Sequence, residues 1–256
     1  MRVLITGASS GIGRALALEY AASGADVVAL GIDEARLEAT AEACRAHGVD
    51  VRAVAVNVQG AGAMKEAIQA VDAAAEIDIV IANAGVGGIR ALAGATGEAD
   101  AIVDDLIDVN FRGVVNTLRP IIPAMVRRGR GRLGIVSSIA GLRGLPDSPL
   151  YSASKAAARV YGEALRPLLR PHGVSVSVIL PGYVDTAMSR SLPFSKPLLI
   201  TPEVMARKIR RGIDRGQIRI TAPLALGVAM QVLSLIPSRL ADPLLERFRM
   251  HAGDEN

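Results

Sequence analysis

The sequence predicts a single α/β domain: a doubly wound parallel sheet of about seven strands with helices on both faces. Three observations predict it. Strand-like and helix-like patterns alternate along the chain, as such a sheet requires. A glycine-rich turn follows the first strand at once and opens the first helix. Half of the 256 residues are apolar, yet aromatics make up only 3% and Trp is absent. Packing must therefore rest on Ala, Val, Leu and Ile, which suits parallel strands covered by Ala-rich helices.

In chain order, Arg2-Val3-Leu4-Ile5-Thr6 reads as a buried strand. Gly7-Ala8-Ser9-Ser10-Gly11-Ile12-Gly13 follows, and Arg14 to Ala22 offers Ala15, Leu16, Leu18 and Ala22 as the packing face of a helix over 11–23. A strand over 26–30 leads to a helix over 34–46, and one over 51–56 to a helix over 61–74. The apolar run Ile77–Ala82 holds the fourth strand, at 78–82, and one long helix is expected over 99–127. Strands at 132–137 and 174–180 flank a helix over 151–170, with a short seventh strand near 218–220. No repeat, low-complexity tract or linker interrupts the pattern, and the length suits one domain with a substantial core. Thr6, Asn83, Ser138 and Pro181 fall at carboxyl ends of strands, where open α/β sheets place their sites.

Bulk properties exclude several functions. Residues 1–195 carry 19 basic and 19 acidic side chains, so the net charge of +4 originates in the C-terminal segment. No basic stripe is interleaved with aromatics, and no nucleic-acid partner is expected. The single cysteine, Cys44, rules out an internal disulfide and fits a reducing compartment. His47, His172 and His251 are far apart in sequence, and no metal site is expected. A strand beginning at residue 2 leaves no room for a cleaved leader, so the expected location is cytoplasmic.

Two local patterns carry chemistry. Tyr151 and Lys155 stand four residues apart, in a chain with only four tyrosines and four lysines. On a helix that spacing puts both side chains on one face. The ammonium is then expected to draw the phenol down from its reference near 10. Ser138, thirteen residues before Tyr151, could hold a substrate oxygen while Tyr151 exchanges a proton with it. This is acid–base equipment for interconverting an alcohol and a carbonyl. The second pattern is the turn itself: glycines let the backbone approach a pyrophosphate, and the open N–H groups of the helix start attract its charge.

Together these residues resemble the classical short-chain dehydrogenase/reductase (SDR) family. Asn83-Ala84-Gly85 after the fourth strand, Asn110 in Asp108-Val109-Asn110-Phe111, Ser138 ending Ile135-Val136-Ser137-Ser138, and Pro181-Gly182 followed by Thr186 extend the likeness from residue 2 to about residue 190. The resemblance implies a Rossmann-type fold, a nicotinamide cofactor and a tetrad of Asn110, Ser138, Tyr151 and Lys155. It makes Tyr151 the proton donor in reduction and acceptor in oxidation, and Ser138 the group that polarises the carbonyl. It has Lys155 bind the nicotinamide ribose and Asn110 hold a relay water. Ser137 rivals Ser138, and family spacing favours Ser138. The implied cofactor contacts are Gly7, Ser9, Ser10, Gly11, Ile12, Gly13, Gly31, Asn57, Val58, Asn83, Ala84, Gly85, Tyr151, Lys155, Pro181, Gly182, Val184 and Thr186. Tyr161 and Tyr183 are structural or substrate-lining. A homodimer or homotetramer is expected by the same resemblance.

Cofactor choice turns on the residue just past the second strand, where an Asp would hold the ribose diol and repel a 2′-phosphate. Gly31 stands there, and Ile32 stands where many NADP-preferring members carry Arg. The missing carboxylate tilts the reading towards NADP(H) over NAD(H). Asp33 lies two residues on, able to reach the ribose or to cap a helix. Arg14 and Arg36 are candidate phosphate partners, and Asn57-Val58 takes the place of the usual Asp-Val at the adenine.

Three long loops should shape the substrate site: Gly85–Gly97 with Arg90, Ile139–Leu150 with Arg143 and Pro146, and Tyr183–Ile200 with Pro193, Phe194, Lys196 and Pro197. By resemblance the last forms a lid. The chain thus divides into a cofactor-binding and catalytic core (1–182), a substrate lid (183–215) and an apolar and basic C-terminal segment (216–256). Residues 196–249 hold ten basic and four acidic side chains, and the apolar stretch after Thr221 is about 15 residues long, short of the ~20 that span a bilayer. It is read as a helix packed on the core or in a subunit interface, as a peripheral membrane contact, or as the entrance for a lipid-like substrate. The leading function is an NAD(P)-dependent oxidoreductase for a secondary alcohol/carbonyl pair, its small-molecule substrate hydrophobic. The alternatives are a sugar-nucleotide epimerase or dehydratase of the superfamily's extended branch, and a non-catalytic dinucleotide sensor.

Overall fold

Side-chain alternation in the first strand, β1 (Arg2–Thr6), sets the layering: Val3 and Ile5 enter one core and Leu4 the other, as the period of two demands. The structure is a computed structural model describing residues 1–87, 100–146, 148–192 and 195–247. Its seven strands are β1, β2 (Asp26–Gly31), β3 (Val51–Ala55), β4 (Ile79–Ala82), β5 (Gly131–Val136), β6 (Val174–Pro181) and β7 (Arg219–Ala222). They form one parallel sheet in the order β3-β2-β1-β4-β5-β6-β7. Leu4 pairs with Val28 of β2 and with Val80 of β4. Strand order therefore reverses beside β1, and the crevice opens at its carboxyl end.

Helices α1 (Gly11–Ala22), α2 (Glu34–Arg45) and α9 (Pro202–Asp214) cover one face. The other face is covered by α3 (Ala61–Ala74), α5 (Gly113–Leu118), α6 (Ile122–Arg128) and α7 (Pro149–Leu169). Helix α4 (Asp100–Ile107) precedes α5, the short α8 (Ala187–Arg190) follows β6, and α10 (Leu224–Leu235) and α11 (Ser238–Arg247) end the described chain. The fold is the expected Rossmann-type α/β domain. None of the described helices is long and apolar enough to cross a membrane.

The expected helix over 99–127 is corrected. It is broken into α4, a π-helical turn over Asp108–Arg112, α5 and α6. Pro120 lacks an N–H and crowds the preceding turn, so α5 stops at Leu118 and the chain restarts at Ile122. The π turn widens the helix at Asn110 and turns that side chain into the interior. Helix α9 had no counterpart in the sequence reading. Met205, Ala206, Ile209 and Ile213 bury its inner face, and Arg210 Nε meets Glu19 Oε1 on α1 at 2.8 Å. Residues 88–97, with Arg90, lie outside the described residues, as do residue 99, Pro193, Phe194, Phe248, Arg249 and His251.

Candidate active site

The turn between β1 and α1 is built to bring backbone close to a ligand. Gly7 and Gly11 have φ of +67° and +53°, a region open to glycine at no steric cost. A Cβ on Gly13 would stand 2.1 Å from the Gly7 carbonyl oxygen and 2.6 Å from Asn83 Nδ2. The turn is stitched to the end of β4. Asn83 Nδ2 donates to the Thr6 carbonyl at 2.9 Å, and Thr6 Oγ1 accepts from the backbone N–H groups of Asn83 and Ala84 at 3.0 and 3.1 Å. Ser10 sits at the N-cap of α1 with no side-chain cap bond, which leaves that helix start open to an anion. Ser9 and Ile12 are half-buried beside it.

The remaining predicted cofactor positions fall on the same edge of the sheet. Gly31 is buried at the end of β2, where a Cβ would lie 3.5 Å from Ser9 Oγ. Val58 is buried, and Asn57 forms a turn in which its Oδ1 accepts from the Gln59 N–H at 3.0 Å. Pro181 ends β6 and Gly182 follows; Val184 is buried and bridges to Ile200. Thr186 caps α8, and its Cγ2 lies 3.2 Å from where a Gly11 side chain would begin. Asp33 caps α2, accepting from Arg36 N at 2.9 Å and from Arg36 Nε at 2.7 Å. Arg36 is thus paired with that carboxylate. Arg14 is exposed, and its charge bears on Cys44 and Glu203.

Three elements gather the tetrad. Ser138 follows β5 and caps a short 3₁₀ turn, Oγ accepting from Ala140 N at 3.1 Å. Tyr151 and Lys155 lie one turn apart on α7, with Lys155 Nζ 5.8 Å from the Tyr151 ring centre. Asn110 is wholly buried. Its Oδ1 accepts from Val86 N at 2.9 Å, while Nδ2 donates to Val86 O at 2.9 Å and Ser154 Oγ at 3.2 Å. This side chain therefore holds the strand-end loop against α7. A Cβ on Gly85 would meet Asn110 Oδ1 and Lys155 Nζ, each at 3.0 Å, so the two polar ends converge there. Ser137 differs from its neighbour: its hydroxyl donates to the Lys155 carbonyl at 2.6 Å.

One expectation is overturned. The Tyr151 phenol is pushed up rather than down, by burial first, with the Ser138 hydrogen bond working the other way. Lys155 is only 4% exposed, and burial lowers it from 10.5 to about 8. Loss of water outweighs the proximity of the two groups, because a buried ammonium is itself disfavoured.

Gly87 and Met188 lie in two of the loops expected to shape the substrate site, but the sequence did not single them out. A Cβ on Gly87 would stand 2.9 Å from Met188 Sδ and 3.2 Å from Tyr151 Cε2, so the thioether of α8 shares the tyrosine's side of the site. Neither residue belongs to a motif, and only the fold brings them together. A cleft lined by Arg2, Asp50, Arg52 and Ala75 lies at the amino ends of the strands, far from the tetrad.

The model of the short chain dehydrogenase family matches residues 1–196. An uncharacterized oxidoreductase of Myxococcus xanthus is 40% identical over 247 residues, 96% of each chain. A short-chain dehydrogenase from Sphingobium yanoikuyae, solved in complex with NADPH, superimposes with a TM-score of 0.80 at 25% identity, over 99% of this chain and 98% of that one. A short-chain dehydrogenase from Mycobacterium paratuberculosis bound to NAD gives 0.78 at 25% identity, over 89% and 97%.

Proposed function

Because the chain belongs to the short-chain dehydrogenase family, we propose that it is an NAD(P)-dependent oxidoreductase interconverting a secondary alcohol and a carbonyl, with Tyr151 as general acid and base. The observation that carries this is the Lys155 ammonium 5.8 Å from the Tyr151 ring, both groups buried and the phenol held protonated by that burial, with Ser138 the polar group that acts on it. A ketone oxygen placed between Ser138 and Tyr151 is polarised by the serine hydroxyl and takes the tyrosine proton as the alcohol forms. Oxidation runs the proton back to the phenolate.

The dinucleotide fits this chain on its own residues. The space beside Gly7 and Gly13 admits backbone and no side chain, and the N–H groups of α1 face the same crevice. When bound, the nicotinamide supplies or accepts the hydride at the substrate carbon. Lys155 would hold the ribose, and Asn110 would keep the loop at Val86 in register with α7. NADP(H) is favoured over NAD(H), because Gly31 brings no carboxylate and that of Asp33 is taken by Arg36.

A hydrophobic substrate is supported by Met188 and Gly87 beside Tyr151, and by Leu226 of α10 against Ile139 and Gly182. We read the segment around α8 as the lid and the enzyme as a cytoplasmic homo-oligomer. The exposed Leu224, Val228, Val232 and Leu235 of α10 suit a subunit or lipid contact. The epimerase and sensor readings are not favoured: the chain and an oxidoreductase cover each other almost end to end, and a sensor needs no proton-transfer set.

The test is equilibrium binding of NADPH and NADH, followed by ketone reduction by the wild type and Tyr151→Phe. Binding retained with turnover lost supports the reading. Turnover surviving in Tyr151→Phe removes the proton role, and failure to bind either dinucleotide removes the whole reading.

A further inference from the structure

The loop between Ser138 and Tyr151 is fastened at two ends in different ways. Its inner end is packed on α7: a Cβ on Gly141 would lie 2.8 Å from the Lys155 carbonyl carbon, and Arg159 Nε donates to Gly141 O at 3.0 Å. Its outer end is tied to the C-terminal helices by the Arg143 side chain. Arg143 Nη2 meets Asp242 Oδ1 of α11 at 2.8 Å and Ser238 Oγ at 3.4 Å, and Nη1 meets Ile236 O at 3.5 Å. Among the described residues, every hydrogen bond of this guanidinium goes to a segment more than 90 residues away. Its side chain is 17% exposed, against 58% for Asp242.

A mostly buried arginine with a single, more exposed carboxylate partner contributes little stability as an ion pair. What it fixes is geometry. Leu226 and Met230 of α10 pack on the cluster of Ile139, Val178 and Leu180, as does Leu142; Ile139 directly follows Ser138 and Leu142 directly precedes Arg143. A Cβ on Gly182, just after β6, would stand 3.1–3.4 Å from Pro223, Leu226 and Ile139. Helix α10 therefore forms an apolar wall beside the residue that follows the serine, and Arg143 grips the chain just beyond it, at Ile236 and along the first turns of α11.

We propose that Arg143 is a positioning residue that latches the C-terminal helix pair onto the Ser138 loop, making α10 and α11 a wall that sets the length of carbonyl substrate admitted. The inference rests on the oxidoreductase reading for the substrate, but not for the latch. Two readouts separate these. Hydrogen exchange on the wild type, Arg143→Met and Asp242→Asn needs no activity. Faster exchange in residues 139–146 and 236–245 of both variants, with β1 and α1 unchanged, is expected. Unchanged exchange in either segment overturns the latch.

The second readout is the ratio of kcat/KM for 2-decanone to that for 2-butanone, measured with NADPH. Both variants should raise it at least threefold, with NADPH Kd within twofold of wild type, because a loosened wall admits the longer chain. A lowered Tm with an unmoved ratio, or a shift towards 2-butanone, overturns the positioning role and leaves Arg143 purely structural. Should the wild type reduce neither ketone with either dinucleotide, the wall loses its substrate role, and the exchange measurement still decides the latch.

Discussion

Lys155 Nζ lies 5.8 Å from the centre of the Tyr151 ring, and the two side chains shift in opposite directions because both are withdrawn from water. Lys155 falls to about 8 and Tyr151 rises above its ordinary 10. Without ligand, the pair is thus poised as a protonated phenol beside an ammonium that is easily discharged. Each shift has a measurable consequence.

For Lys155 the consequence is a stability profile. In the dinucleotide-free protein it loses its proton near pH 8 when folded and near 10.5 when unfolded. Between those values the unfolded state binds more protons, so stability rises with pH across the window. Below about pH 8 the group is charged in both states and the burial cost is carried in full. Lys155→Met should therefore gain on the wild type at pH 7 and lose most of that advantage by pH 10, a change of up to about 3 kcal/mol at ~1.4 kcal/mol per pH unit. Urea unfolding of both proteins at the two pH values measures it. A gap independent of pH would mean that Lys155 titrates normally.

For Tyr151 the consequence lies in the direction of catalysis. A phenol raised by burial is protonated at neutral pH, so the acid proposed for reduction is already in place. Oxidation needs the phenolate, whose population grows with pH. Alcohol oxidation should climb between pH 6 and 10 while ketone reduction stays level at its lower end. Tyr151→Phe should cut both by about 10²–10⁴-fold. Initial rates in the two directions decide this; level oxidation would exclude Tyr151 as the proton acceptor.

Two glycines of the dinucleotide cradle should respond in opposite ways. At Gly13 an added Cβ runs into the Gly7 carbonyl, which cannot yield without dismantling the turn. Gly13→Ala should therefore abolish NADPH and NADH binding and cost about 1–3 kcal/mol or more. At Gly31 the nearest atoms to an added Cβ are Leu37 Cδ1 at 3.4 Å and Ser9 Oγ at 3.5 Å, ordinary contact distances. Gly31→Asp should fold, bring a carboxylate to the ribose and move the NADH-to-NADPH affinity ratio at least tenfold towards NADH. Titration of each variant with both dinucleotides gives the answer, and an unmoved ratio would place the 2′ position elsewhere.

The strands were legible because short-range patterns encode them. Buried parallel strands read as apolar runs such as Ile77–Ala82, and Tyr151 and Lys155 share a helical turn. What stayed hidden depends on packing across long separations. Gly87 and Met188 meet at Tyr151 although about 100 residues separate them. Helix α9 is different, because its signals are local: Thr201 caps it, Pro202 opens it, and Met205, Ile209 and Ile213 recur every four residues. Local rules also misjudged Pro120, whose break was visible in the sequence but overridden by the periodicity around it. The sign of the Tyr151 shift was lost for a related reason: spacing reveals proximity, whereas burial, which decides the sign, belongs to the fold.

Adjacent serines offer the sharpest separation of structure from chemistry. Ser137 donates its hydroxyl to the Lys155 carbonyl at 2.6 Å in the buried seam between β5 and α7. Ser137→Ala leaves that acceptor without its partner, and about 1–3 kcal/mol of stability should go with it. Its effect on kcat should be small provided the fold survives. Ser138 instead caps a three-residue turn through Ala140 N, worth about 1 kcal/mol, while its hydroxyl faces Tyr151. Ser138→Ala removes the group proposed to polarise the carbonyl and should cost about 10²-fold or more in turnover. It also deletes the hydrogen bond that restrains the phenol's rise, so the pH dependence of oxidation should move further towards alkali. Thermal unfolding and kcat for the two variants should therefore diverge, Ser137→Ala losing mainly Tm and Ser138→Ala mainly rate. The opposite pattern would assign the substrate oxygen to Ser137.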